Sequence, residues 1–378
     1  MSKSKILFIT RNLPPLVGGM ERLHYHILCH LQKNYELAVV CPEESLREIP
    51  DCIKLGFDNR SKLRFIVDSA RKAQQLNRKF QADLVFSASG TTILAAKLAA
   101  KKHRSPLICQ VHGLDVVADN FIYQRIFVPA IRAADMIISI SQHTSQLALA
   151  KGVNPNKIAL LAPGVDLPSS TDYGFAPFSW QNRFVLLSVG RLTRRKGLLE
   201  FIRHCLPTLV KQHPQILLAI IGADAEQALE RQSSMSEQIL AAVTELNLQS
   251  HVSLMGKVTE TELRNAYHHS QLFIFPTLNL PGDAEGFGMV AIEAAAHGLP
   301  VIAFANGGVV DAVAHGESGY LIETDNYQKM TASISSCITG QLQFDTARCL
   351  NFARQFSWTE YGKKLDQIIN ASLQSHRA

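Results

Sequence analysis

The sequence predicts an α/β protein built from two doubly wound parallel sheets. Three observations predict it. Short apolar runs rich in β-branched residues alternate with helix-length segments along the chain. These runs fall into two sets, parted by the proline-, serine- and glycine-bearing stretch LPSSTDYGFAPFSWQN, Leu167 to Asn182. The 378 residues, 47% hydrophobic and 19% charged, are enough for two sizeable cores.

In chain order the first set is KILFIT, ELAVVC, DLVFSA, PLICQV, MIISIS and IALLAP. The second is FVLLSVG, ILLAIIG, HVSLMG, LFIFP, PVIAF and GYLI. Apolar runs of this length between helices suit strands buried on both faces. The expected domains are residues 1–167 and 183–358, with a linker over 168–182. The closing FSWTEYGKKLDQIINASL has helical periodicity. Its helix, about 359–378, either caps the second domain or crosses back to the first. Two open sheets in tandem are expected to face across a cleft, with ligands outside the strands' C-terminal edges.

Bulk properties narrow the partners. The start, MSKSKILFIT, has too short an apolar run for a signal peptide, and no stretch is long enough for a membrane span. Seven cysteines with no C-x-x-C spacing argue against a disulfide framework and a zinc site, so reduced thiols in a cytosol are expected. The net charge of +6 is uneven. Residues 1–165 carry 22 basic and 12 acidic residues, or +10, and the remainder carries −4. Nucleic acid and an anionic membrane surface both suit such an imbalance, as does a chance distribution of surface charge.

The loops after strands hold the candidate chemistry. Gly18 and Gly19 stand between the first strand and its helix. They admit a ligand close to the backbone at a helix start, or simply form a tight turn. His112 follows the fourth apolar run directly, with Asp115 three residues on. It could hydrogen-bond a ligand, shuttle a proton or serve the structure alone. In FVLLSVGRLTRRKG, Gly190 and Arg191 follow the strand and Lys196 comes five residues later. A guanidinium and an ammonium in one loop suit a diphosphate; Arg194 and Arg195 are expected to face water. In GDAEGFGMVAIEAAAHG, Glu285 falls in a loop and Glu293 within a helix closed by Gly298. Gly286 and Gly288 expose amides where the helix dipole favours negative charge. A carboxylate accepts from vicinal hydroxyls, so the two glutamates and these amides can hold a polyol and a phosphate together. Glu293, in an alanine-rich helix, needs a partner if buried; a structural capping role is the alternative.

These motifs, E-x7-E (Glu285, Glu293), G-R-L-x-x-x-K-G (Gly190–Gly197), G-G-x-E-R (Gly18–Arg22) and H-G-x-D (His112–Asp115), occur in an order that resembles the retaining glycosyltransferases of family 4. GVD (Gly164–Asp166) and FSW (Phe356–Trp358) extend the resemblance over nearly the whole chain. It implies the GT-B fold, two Rossmann-like domains, with the last helix, about 359–378, crossing back onto the first. It also implies that Arg191 and Lys196 hold the donor diphosphate and that Glu293 binds ribose hydroxyls. Glu285, with the Phe287 and Gly288 amides, meets the transferred sugar and its phosphate. Met289 and Val290 belong to the same donor-binding stretch. Gly19 approaches that phosphate from the first domain, His112 lies by the reacting centre and contacts the sugar, and Gly18, Asp115 and Gly190 are further substrate-binding positions. No metal and no cofactor are implied, and no D-x-D motif occurs.

The expected reaction moves a hexosyl residue from a UDP- or GDP-linked sugar to a lipid-linked or glycan acceptor of the bacterial cell envelope. No nucleophilic carboxylate is marked in the sequence, which favours front-face substitution over double displacement. Residues 60–80 hold seven basic residues and one aspartate. An expected apolar stripe of Leu63, Val67, Ala70, Leu76 and Phe80 would let this helix rest on an anionic membrane at the cytoplasmic face, or cover its own core. The basic stretch lacks the aromatic interleaving of a nucleic-acid binder. An epimerase on the same fold and a non-catalytic nucleotide-sugar-binding subunit are the competing readings.

Overall fold

The computed structural model describes residues 3–118, 120–168, 173, 174, 177, 180–224, 234–280, 282, 283 and 285–377. The chain divides into two compact units. Unit 1 is Met1–Gly164 with Trp358–Ala378, and unit 2 is Val165–Ser357. Within the expected linker, residues 169–172, 175, 176, 178 and 179 lie outside the described residues, as does 378 of the expected last helix.

Unit 1 begins β1 (Lys5–Ile9), α1 (Gly19–Asn34), β2 (Glu36–Pro42), β3 (Ile53–Phe57), α2 (Lys62–Phe80), β4 (Leu84–Ser87) and α3 (Ile93–His103). It continues β5 (Leu107–Val111), α4 (Leu114–Val117), α5 (Phe121–Arg132), β6 (Met136–Ser139), α6 (Gln142–Ala150) and β7 (Ile158–Leu160). The seven strands are parallel, in the order β3-β2-β1-β4-β5-β6-β7. Alternation along β1 sends Leu7 and Ile9 into the core under α2, α3 and α5. Phe8 points to the opposite face, stacked on Phe86 at 5.2 Å and edge-on to His24 of α1.

Unit 2 runs β8 (Phe184–Val189), α7 (Leu198–His204), α8 (Leu206–Gln212), β9 (Ile216–Ile221), α9 (Met235–Glu245), β10 (Val252–Gly256), α10 (Glu260–His269) and β11 (Leu272–Phe275). Then come α11 (Met289–Ala296), β12 (Val301–Phe304), α12 (Val309–Ala312), β13 (Gly319–Ile322), α13 (Tyr327–Ile338) and α14 (Thr346–Arg354). Its six parallel strands lie in the order β10-β9-β8-β11-β12-β13. The last helix, α15 (Trp358–Arg377), belongs to unit 1. There Trp358 stacks on His26 of α1 at 3.9 Å, and Asp366 accepts from Tyr35 Oη at 2.9 Å.

Two expectations need correction. β3 was not expected: Lys54 and Gly56 interrupt its apolar run, and an edge strand needs little more than one buried face. The stripe expected on α2 is not one face. At about 100° per residue, Leu63 and Val67 lie far round the helix from Leu76 and Phe80. The buried face is Phe65, Ser69, Ala73, Asn77 and Phe80, and Leu63 is 74% exposed.

Candidate active site

Strand order decides where ligands can settle. It reverses between β1 and β4 in unit 1 and between β8 and β11 in unit 2. Crevices open beyond the strand C-termini at such points. The candidate residues lie on the loops that leave those strands or on the helices that follow, with His112 just after β5, the strand beside β4.

In unit 2 the loop after β8 ends in a 3-10 turn, Arg194–Lys196. This turn aims two neighbouring cations at one carboxylate. Lys196 Nζ lies 2.9 Å from Glu285 Oε2, and the Arg195 guanidinium pairs with the same oxygen. Arg195 Nε is also 2.9 Å from Asp283. These side chains are 12–14% exposed for Arg195, Glu285 and Lys196. Arg195, expected to face water, therefore turns inward. Arg194 does face water, 3.9 Å from Glu200. Burial pushes the Glu285 carboxyl up, but Lys196 and Arg195 pull it further, to a net position below the ordinary carboxylate value. Burial likewise lowers Lys196, against the opposing pull of Glu285. Arg191 is exposed and contributes charge toward Lys196 without sharing Glu285.

Close backbone approach holds this cluster. Gly197 has φ 68°, and a Cβ there would lie 1.9 Å from the Pro276 carbonyl oxygen. Gly308 donates its amide to the Glu285 carbonyl at 2.8 Å, and a Cβ on it would lie 2.1 Å from Gly286 O. The Leu278 amide donates to the Arg195 carbonyl at 2.8 Å, tying the two loops together. Gly288 is the N-cap of α11, and Met289 and Val290 form its first turn. The first amides of a helix lack helical acceptors and suit an anion. Phe287 buries its ring near Phe356, at 5.9 Å, so only its backbone can meet a ligand. Glu293, half-buried on α11, accepts from Tyr267 Oη at 3.0 Å. Tyr267 is itself stacked on His297 at 5.0 Å.

In unit 1, Gly18 is the N-cap of α1 and Gly19 its first residue. Asp115 holds loops rather than a ring: its carboxylate accepts from the His112 amide at 2.7 Å and the Gly90 amide at 2.9 Å. The His112 ring lies with Nε2 2.9 Å from the Ala88 carbonyl and 3.3 Å from His24 Nε2. Four residues of these sites escaped the sequence reading: Arg195, Tyr267, His24 and Gly308. The signals present were a glycine pair, Gly307 and Gly308, two residues beyond PVIAF, and a histidine on the apolar face of α1.

Two family models match the chain. Residues 17–168 match "Glycosyltransferase Family 4", and residues 175–356 match "Glycosyl transferases group 1". Between them they take in most of the sequence. The chain belongs to glycosyltransferase family 4. Among its relatives is the GDP-mannose-dependent alpha-(1-6)-phosphatidylinositol monomannoside mannosyltransferase of Mycolicibacterium smegmatis. That enzyme is 25% identical over 99% of this chain and 100% of its own. D-inositol 3-phosphate glycosyltransferase 1 of Catenulispora acidiphila is 27% identical over 74% of this chain and 70% of its own. The fold of this family 4 glycosyltransferase is GT-B, its two Rossmann-like units carrying seven and six strands. The solved structure of Anabaena Alr3699/HepE in complex with UDP and glucose superposes with a TM-score of 0.77 at 21% identity. The match covers 97% of this chain and 99% of that one.

Proposed function

We propose that this glycosyltransferase moves a hexosyl residue, with retention and without a metal, from a UDP- or GDP-linked sugar to a lipid-linked or glycan acceptor of the cell envelope. The observation that carries the reading is the convergence of the largely desolvated Lys196 and Arg195 on Glu285, beside the start of α11. Desolvated cations and helix amides at one point favour a diphosphate and its departing charge. In this reading Arg191 adds a bidentate grip, Glu293 takes ribose hydroxyls, and Gly18, Gly19 and His112 serve the transferred sugar and its phosphate. Glu285 shares one oxygen between two cations, which makes it a poor nucleophile. That supports front-face substitution, with the leaving phosphate oxygen drawing the acceptor's proton.

We place the reaction at the cytoplasmic face of a membrane. No helix among the described residues is long and apolar enough to cross one. Unit 1 offers a rim for contact instead. Helices in a parallel layer run against the strands, so the first turns of α2 and α5 stand at the strands' C-terminal edge. Leu63 and Val67 are exposed there on α2, and Phe121, Ile122 and Ile126 on α5. Arg60, Arg64 and Arg125 stand beside them. Exposed apolar residues among arginines fit an anionic bilayer. Vesicles rich in phosphatidylglycerol should capture the protein at low salt, and Phe121→Ser with Ile122→Ser should reduce capture several-fold. Equal capture of both proteins, or none of either, would remove the membrane from this account.

Thermal unfolding with UDP, GDP, ADP and their sugars tests the donor site. A true donor should stabilise the protein by about 2.7 kcal/mol at a hundredfold excess over its dissociation constant. Lys196→Met should abolish that gain and Glu293→Ala should weaken donor binding about tenfold. His112→Ala should keep donor binding and slow turnover about a hundredfold. No stabilisation by any nucleotide would overturn the reading. Donor converted without an acceptor would favour an epimerase, and binding without transfer a non-catalytic subunit.

A further inference from the structure

Unit 1 contains a buried histidine that the donor reading does not use. His24 sits in the second turn of α1 with no exposed surface, and its ring approaches that of His112 at 5.2 Å between centroids. Its Nδ1 is 2.8 Å from Thr10 Oγ1 and 3.1 Å from the Asn12 carbonyl. Its Nε2 is 3.3 Å from His112 Nε2, which in turn is 2.9 Å from the Ala88 carbonyl.

A carbonyl oxygen can only accept, so a ring nitrogen that bonds one must carry hydrogen. Protons therefore fall on His24 Nδ1, facing Asn12, and on His112 Nε2, facing Ala88. His24 also meets the Ala88 carbonyl, but that oxygen already takes the His112 Nε2–H, so His24 Nε2 can stay bare and receive part of the same hydrogen. This arrangement satisfies both nitrogens of His24 and both carbonyls at once. A second proton on His24 would set two N–H groups against each other. Burial and the neighbouring His112 both oppose that proton, and hold the His24 ring down to about 3. Nearby charges do not interfere directly: Glu21 is engaged by Asn12 Nδ2, and Asp115 by the amides of His112 and Gly90.

We propose that His24 is a positioning residue that locks His112 in the Nε2–H tautomer, so that His112 presents a bare Nδ1 to the ligand. His112 then accepts a hydrogen bond and takes a hydroxyl group, such as one on the transferred sugar, in preference to a phosphate or carboxylate oxygen. The identity of that hydroxyl rests on the donor reading above; the tautomer does not.

Nitrogen-15 spectra of the ligand-free histidine rings separate the two. In the wild type, His112 should show a protonated Nε2 and an unprotonated Nδ1 at pH 7. His24→Phe, which keeps a ring in the cavity but removes the acceptor, should give His112 a mixture of tautomers. It should lower kcat about tenfold while leaving the donor KM unchanged. A wild-type His112 protonated on Nδ1 overturns the proposal whether or not the variant folds. So does a folded His24→Phe protein with an unaltered His112 spectrum. Failure of every nucleotide to bind, beside a correct wild-type tautomer, would sink the donor reading and leave the lock standing.

Discussion

His24 is a fully buried ionisable group and Glu285 a largely buried one, yet they meet burial in opposite ways. Glu285 keeps its charge because two cations face it. His24 gives its charge up, since only neutral partners and another imidazole surround it. The consequence for stability can be signed. The unfolded chain binds a proton at His24 near the ordinary histidine value, about 6.5, whereas the folded ring is held down to about 3. The unfolded state takes up the proton first, so stability falls as pH drops through that window, by about 2 kcal/mol between pH 7 and 5. Urea unfolding at pH 7 and pH 5 should show His24→Phe escaping that loss. Glu285 loses its contribution at still lower pH and is common to both proteins, so it cancels. At this scale Glu285 and Glu293 were legible from spacing and helix context. Arg195 was not, because RRK offers three cations and only the 3-10 turn says which of them point inward.

Among the elements, all six strands of unit 2 could be read from apolar runs, as could six of the seven in unit 1. Buried parallel strands announce themselves by continuous hydrophobicity. The edge strand β3 needs no such run and so left no such mark. Loop geometry was less legible, since a glycine's necessity depends on what lies against it. Gly197 and Gly256 share a left-handed backbone, at φ 68° and 66°, but Gly256 has nothing within 4 Å of a would-be Cβ. Gly256→Ala should therefore cost about 1 kcal/mol, the conformational penalty alone. Gly197→Ala adds a backbone clash with Pro276 that no rotamer relieves. It should cost more than twice as much and also weaken nucleotide binding, since Lys196 adjoins it. Paired thermal melts check the difference; equal losses would mean that the Pro276 contact is not rigid.

For the whole molecule, connectivity matters most. Unit 1 leaves at Gly164 and resumes at Trp358, so it is assembled from two ends of the chain. The returning α15 buries Tyr361, Leu365, Ile369 and Leu373. At about 1.5–3 kcal/mol for each buried side chain, their loss rivals the whole stability of a typical domain. Residues 1–164 alone should lack a cooperative thermal transition, and fusing 358–378 behind them through a flexible linker should restore one. A sharp melt of 1–164 by itself would show that α15 is dispensable.

By itself the sequence determined the class of fold, the strand runs, the loops that carry the candidate residues and the family. Local patterns suffice for these, because burial on both faces of a sheet leaves a continuous apolar run and motif spacing lies along one chain. Tertiary structure alone decided which charges turn inward and which tautomer His112 adopts. Arg195 and Glu285 are 90 residues apart, and His24 and His112 are 88 apart. Such partners meet only when the strands between them have taken their places in the sheet.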